Sequence, residues 1–114
     1  AQISIPVGAE DEARAFYCGL LGLTEVPKPA ALAGRGGFWL QLGEFQIHFG
    51  TEDDIDRRKT KGHLAYLVEG LERWRQKLID DGCEVIGGIP IPGYDRFEFR
   101  DPFGNRVEFL EKQS

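Results

Sequence analysis

The sequence predicts an α+β fold made of two paired βαβββ modules, and three observations carry the prediction. Two glycines that end helical patterns, Gly22 and Gly82, stand 60 residues apart. The strand-like runs Phe45 to Gly50 and Asn105 to Leu110 superpose at the same offset of 60, with Ile47 over Val107 and Phe49 over Phe109. The hydrophobic pattern also changes in the same order in both halves, from alternation to helical spacing and then through three short strand-like runs. So long a repeat signals a pair of modules and not a solenoid of short units. With 114 residues the chain has the length of one domain, 1–114, divided into modules of about 1–50 and 62–112 by a linker at 51–61.

Each element has its own reason. Ile3-Ser4-Ile5-Pro6-Val7 alternates as a short half-buried strand does, and Pro6 with Gly8 closes it. Ala13, Phe16, Tyr17, Leu20 and Leu21 then recur at helical spacing behind Glu10, Asp11 and Glu12, whose charge suits a helix N-terminus. Leu23 to Val26 is a strand, followed by a turn at Pro27 and Pro29 and a bend at Gly34, Gly36 and Gly37. Phe38 to Leu42 and Phe45 to Phe49 form a hairpin across Gly43-Glu44. The linker is acidic first (Glu52, Asp53, Asp54, Asp56) and basic afterwards (Arg57, Arg58, Lys59, Lys61), and it reads as a solvated connector. In the second module His63 to Val68 is a strand, and Leu71, Trp74, Leu78 and Ile79 share one helical face. Cys83 to Ile86 follows as a strand, then a turn rich in Gly and Pro (Gly87, Gly88, Pro90, Pro92, Gly93). Arg96 to Arg100 and Arg106 to Leu110 are joined by the turn Asp101-Pro102-Phe103-Gly104-Asn105.

Composition narrows the partners. At 41% hydrophobic and 29% charged the chain can bury roughly two-thirds of its unfolded surface, so it is a folded domain. Fourteen Lys+Arg against nineteen Asp+Glu give a net charge of -5 with no basic stripe, which disfavours a general nucleic-acid binder. No apolar run approaches the ~20 residues of a membrane span and no basic-then-apolar leader opens the sequence, so a cytoplasmic protein is expected. Cys18 and Cys83 lack any metal or redox spacing and read as reduced, mostly buried thiols. The expected partner is a small molecule or another protein.

A sheet covered by a helix on one face leaves the other face bare, and pairing two such faces around a cleft is the economical architecture. Alternation assigns the residues. Phe45, Ile47 and Phe49 are expected under the first helix, with Gln46 and His48 on the cleft face. Val107 and Phe109 go under the second helix, which turns Arg106, Glu108 and Leu110 to the cleft and makes Glu108 the repeat mate of His48. Leu64, Tyr66 and Val68 take the helix side of their strand, leaving His63, Ala65 and Leu67 on the cleft side. The mate of His63 falls one position ahead of Ala1, in a sequence without Met that opens inside a strand pattern, so a further site residue is expected upstream. A lone strand histidine or glutamate is ordinarily a surface residue. Here the only two histidines and a repeat-related carboxylate share one predicted face.

Ala15-Phe16-Tyr17 through Leu20-Leu21-Gly22-Leu23, Gly62-His63-Leu64-Ala65 and Asp101-Pro102-Phe103-Gly104-Asn105-Arg106-Val107-Glu108 together resemble the vicinal oxygen chelate superfamily, also called the glyoxalase/bleomycin resistance/dioxygenase family. The resemblance spans nearly the whole chain. It implies paired modules forming an open, cupped mixed sheet, commonly in a homodimer, with a divalent metal held by one residue from each of four strands. Carried over, His48, His63 and Glu108 match three ligand positions, and Gln2 is the nearest polar substitute for the first. Imidazoles with a carboxylate suit Zn, Ni, Fe, Mn or Co, and such a site can chelate two vicinal oxygens of a small substrate.

The implied activity is metal-dependent lyase, isomerase or thiol-transferase chemistry of the glyoxalase type, with Glu108 also the catalytic carboxylate. An extradiol dioxygenase is less expected, because those enzymes generally carry two module pairs. The alternative is a metal-free protein resembling the bleomycin-resistance proteins, which bind and sequester a drug. Trp39, with Gln41 on its face, either shapes a substrate pocket or packs in the core. Tyr94 is expected as a loop residue capping the pocket, and Arg96, with Glu98 and Arg100, lines either the cleft's far wall or a charged outer face.

Overall fold

The alternating stretches become eight strands in the computed structural model, which describes residues 1–114. They are β1 (Gln2–Ile5), β2 (Thr24–Val26), β3 (Phe38–Leu42), β4 (Phe45–Thr51), β5 (His63–Leu67), β6 (Val85–Gly87), β7 (Tyr94–Arg100) and β8 (Arg106–Lys112). They form two four-stranded mixed sheets, ordered β1-β4-β3-β2 and β5-β8-β7-β6, and with few helices the class is α+β. In each sheet one pair is parallel, β1 with β4 and β5 with β8, and the rest are antiparallel. The chain divides into two compact units, Ala1–Ile55 and Asp56–Ser114. No helix is long and apolar enough to cross a membrane.

In the first unit Ile5, Phe38, Leu40, Ile47 and Phe49 are buried on one sheet face, where Phe38 stacks on Phe49 at 4.6 Å. The covering helix is not uniform. It is an α-helix, α1 (Glu10–Arg14), that widens into a π-helix over Ala15–Leu20. The wider turn brings the consecutive aromatics Phe16 and Tyr17 to the same apolar side, both buried, which a regular helix at 3.6 residues per turn does less well. Phe45 departs from the expected pattern. It belongs to the last pair of the β3–β4 ladder, beside the Gly43-Glu44 turn, and is 74% exposed because the packed core stops short of that end. Gly37, at φ +78°, passes against β4 so closely that a Cβ would stand 1.9 Å from the Phe49 carbonyl oxygen.

The second unit centres on Phe109, whose ring meets Tyr66, Trp74, Phe97 and Phe99 at 5.0 to 5.9 Å. Its helix α2 (Leu71–Asp80) has Gly70 as its N-terminal cap, with no side-chain cap of its own. The Glu111 carboxylate of β8 supplies one from across the sheet, accepting the N–H groups of Gly70 at 2.7 Å and Leu71 at 3.2 Å. The linker is less solvated than its charge suggested: Arg57 is buried, and Arg58 lies where a Cβ on Gly104 would be, 2.8 Å from its Cγ. Arg58 of the linker therefore packs against the β7–β8 turn. That turn is held by buried Asp101, whose Oδ1 accepts the N–H groups of Phe103 and Asn105 and whose Oδ2 accepts Asn105 Nδ2.

Candidate functional site

The register set by this turn decides which side chains meet. Glu98 of β7 pairs with Glu108 of β8, and Ala65 of β5 pairs with Glu108 on its other side. Two carboxylates directly opposite would repel, so cations must come from the diagonal positions. Arg96 and Arg106 provide them. Arg96 Nη1 lies 3.0 Å from Glu108 Oε1 and 3.2 Å from Glu98 Oε1, and Arg106 Nη2 donates to Glu98 Oε1 at 2.6 Å. These bonds hold the Glu98 carboxyl below its usual range, the Arg106 hydrogen bond contributing most, and the same pairing raises the Arg106 guanidinium.

Glu108 is buried, at 6% exposure, and its contacts fall on one oxygen, Oε1. The second contact is His63. Small Ala65 leaves room for the imidazole, which starts β5 one step along the same face, and its Nε2 stands 3.1 Å from Oε1. The far ring nitrogen, Nδ1, lies 2.8 Å from the Lys61 carbonyl oxygen. A carbonyl only accepts, so Nδ1 carries a proton, and Nε2 faces the Glu108 carboxylate, as an acceptor in the neutral ring or as a donor in the imidazolium.

Arg96 is fixed on its other side by the segment before β7. Its Nε donates to the Ile89 carbonyl at 2.8 Å, and the guanidinium carbon lies 2.5 Å from where a Cβ on Gly88 would be, so only glycine leaves that space. Beside it a cavity of about 370 Å³ is lined by Gly88, Pro90, Ile91, Gly93, Tyr94 and Arg96, among others. Tyr94 is not a loop residue: the Gly93 turn ends early enough for it to open β7, on the face of Arg96. Arg100 does not join the charged chain; its Nη1 donates to the Gly104 carbonyl in the β7–β8 turn.

In the first unit His48 and Trp39 are register partners, and their rings stack at 3.7 Å with 2° between planes. Burial lowers the affinity of the His48 imidazole for a proton, and its Nε2 shares a hydrogen bond with Gln46 Oε1 at 3.1 Å. Gln2 is the register partner of His48, yet its side chain runs over Gly50, where a Cβ would be 2.3 Å from its Nε2. No group of three or more His, Cys, Asp or Glu side chains gathers to hold a metal ion. Of the expected site residues the structure therefore unites His63, Glu108 and Arg96 in one unit and His48 with Trp39 in the other.

The sequence profile of the glyoxalase/bleomycin resistance protein/dioxygenase superfamily matches residues 1–109. The chain belongs to this superfamily. Among solved structures, a protein from Bacillus anthracis assigned to the glyoxalase family is 44% identical, with a TM-score of 0.89 over 98% of this chain and 91% of that one. A lactoylglutathione lyase from Agrobacterium tumefaciens (20% identity, TM-score 0.71, 96% and 90% coverage) shares the glyoxalase-like fold. So does TnmS3, an antibiotic-binding protein from Streptomyces sp. CB03234 (18% identity, TM-score 0.73, 98% and 93% coverage). No curated protein matches the chain. Glu98 and Arg106 complete the charged cluster beside Glu108 and are not among the expected site residues; their signal is the alternation Arg96, Glu98, Arg100 facing Arg106 and Glu108.

Proposed function

We propose that the protein is a metal-dependent enzyme of the glyoxalase type, a lyase, isomerase or thiol transferase acting on a small molecule with vicinal oxygens, and that His63 and Glu108 hold the metal. One observation carries this reading. The Lys61 carbonyl accepts the hydrogen bond of His63 Nδ1, which turns Nε2 onto a carboxylate oxygen at 3.1 Å. A proton on the imidazole or a metal ion can bridge Nε2 and the carboxylate oxygen at that distance, and a backbone carbonyl behind a ligating imidazole is the usual support of such a donor. The donor set suits Zn, Ni, Fe, Mn or Co.

A bound metal would polarise substrate oxygens as a Lewis acid. The protein's own groups do the rest. The contacts of Glu108 fall on Oε1, which leaves Oε2 to accept or return a proton. Tyr94 offers a phenol to a substrate in the adjoining cavity, which Arg96 also lines. The functional form is a homodimer.

A second reading, a metal-free protein that sequesters a drug, is favoured by the stacked Trp39–His48 pair, onto which a further aromatic ring can stack. The two readings separate in one experiment. Protein loaded in turn with each metal is offered hemithioacetals, epoxides with a thiol, and catechols. Turnover that a chelator removes supports the enzyme. Absence of turnover, with micromolar drug binding by the metal-free protein, supports the binder.

A further inference from the structure

Arg96 occupies the carboxylate oxygen that a metal would need. Its Nη1 is 3.0 Å from Glu108 Oε1, the same atom that His63 faces. A metal–carboxylate bond is about 2.1 Å, so a divalent ion on that oxygen would stand within about 5 Å of the guanidinium nitrogen. Two cations so close, where the guanidinium and carboxylate side chains are only 12% and 8% exposed, repel. Arg96 cannot easily yield, because its Nε is bonded to the Ile89 carbonyl, Nη1 also reaches Glu98, and Gly88 closes over the guanidinium carbon. Its side chain is only 12% exposed.

We propose that Arg96 is a built-in competitor of the metal, a positioning residue that neutralises Glu108 in the metal-free protein and sets how tightly a divalent ion binds. The inference rests on the reading that His63 and Glu108 hold that ion. Arg96 stands in for the ion by keeping the buried carboxylate paired, and it weakens the site by the strength of the contact that must be broken. Arg106 does not share this role, because its hydrogen bond goes to Glu98. The sheet face thus divides its two guanidinium groups, one guarding the ligand and one neutralising the neighbouring carboxylate.

The test is calorimetric titration of the whole chain with Zn(II) and with Co(II), for the wild type and for Arg96→Gln, Arg96→Lys and Arg106→Gln, each checked for native circular dichroism. Losing one charge-assisted contact corresponds to a gain on the order of tenfold in affinity for Arg96→Gln. Arg96→Lys, which keeps the charge, should stay near the wild type, and adding Glu108→Gln to Arg96→Gln should abolish the gain. A merely structural role would lower the affinity instead. If the wild type binds metal and Arg96→Gln binds it no more tightly, or Arg106→Gln gains as much, the competition is refuted while the metal reading stands. Metal binding by Arg96→Gln alone would support the competition in its strongest form. If no variant binds metal, both fall together.

Discussion

Replacing Asp101 with Ala is predicted to be among the most damaging changes away from the aromatic core. The carboxylate is 3% exposed and accepts three hydrogen bonds, from Phe103 N at 3.0 Å, Asn105 N at 2.8 Å and Asn105 Nδ2 at 2.9 Å. Alanine leaves two backbone donors without an acceptor in a part-buried turn. At about 1.5 kcal/mol for each of the three lost bonds to a charged group, the cost is roughly 4 to 5 kcal/mol. Asp101→Asn keeps an oxygen at the Oδ1 position and loses the charge, so it should cost about 1 to 2 kcal/mol. Urea unfolding followed by circular dichroism measures both, provided the m-value is unchanged. A cost below 0.5 kcal/mol for Ala, or an Asn variant as unstable as the Ala variant, would refute the assignment of these bonds. The functional consequence follows from register, because this turn sets Glu98 opposite Glu108 and places both arginines on the diagonals.

Tyr66 carries the other predictions. Its hydroxyl is buried without a hydrogen-bond partner, so Tyr66→Phe should raise stability at neutral pH by about 1 kcal/mol in the same urea assay. Desolvation, with the nearby Asp101 charge, pushes the phenol up from 10.0 to about 12. The folded state keeps this proton where the unfolded chain releases it, so its contribution is complete below pH 10.0 and is lost as pH rises towards about 12. At about 1.4 kcal/mol per tenfold the loss approaches roughly 3 kcal/mol, and Tyr66→Phe should flatten that alkaline limb. An alkaline limb as steep in the variant as in the wild type would contradict the burial of this hydroxyl.

Much of the fold is legible in the sequence because its signals are local and doubled. The alternation of Ile47 with His48 and of Val107 with Glu108 assigns the faces, and the repeat checks one half against the other. The register agrees with the repeat, Gln2 opposite His48 and Ala65 opposite Glu108. What the sequence hides is nonlocal. Glu111 caps α2 from 40 residues away, and Phe45 loses its cover because a hairpin outruns the core. The π-helical turn serves two adjacent aromatics that a helical template assigns less evenly. At the site, His63, Glu108 and Arg96 are readable as candidates from their faces. Their mutual contacts are not, since the Lys61 carbonyl, the Ile89 carbonyl and the space at Gly88 come from backbone that carries no sequence code.

The central claim, that His63 and Glu108 hold a divalent metal, is tested most directly by metal stoichiometry after equilibrium dialysis, compared among wild type, His63→Ala and Glu108→Gln. The account predicts one ion per chain in the wild type and a loss of affinity of tenfold or more in each variant. Wild-type protein that retains no ion, or variants that retain it as tightly as the wild type, would contradict it.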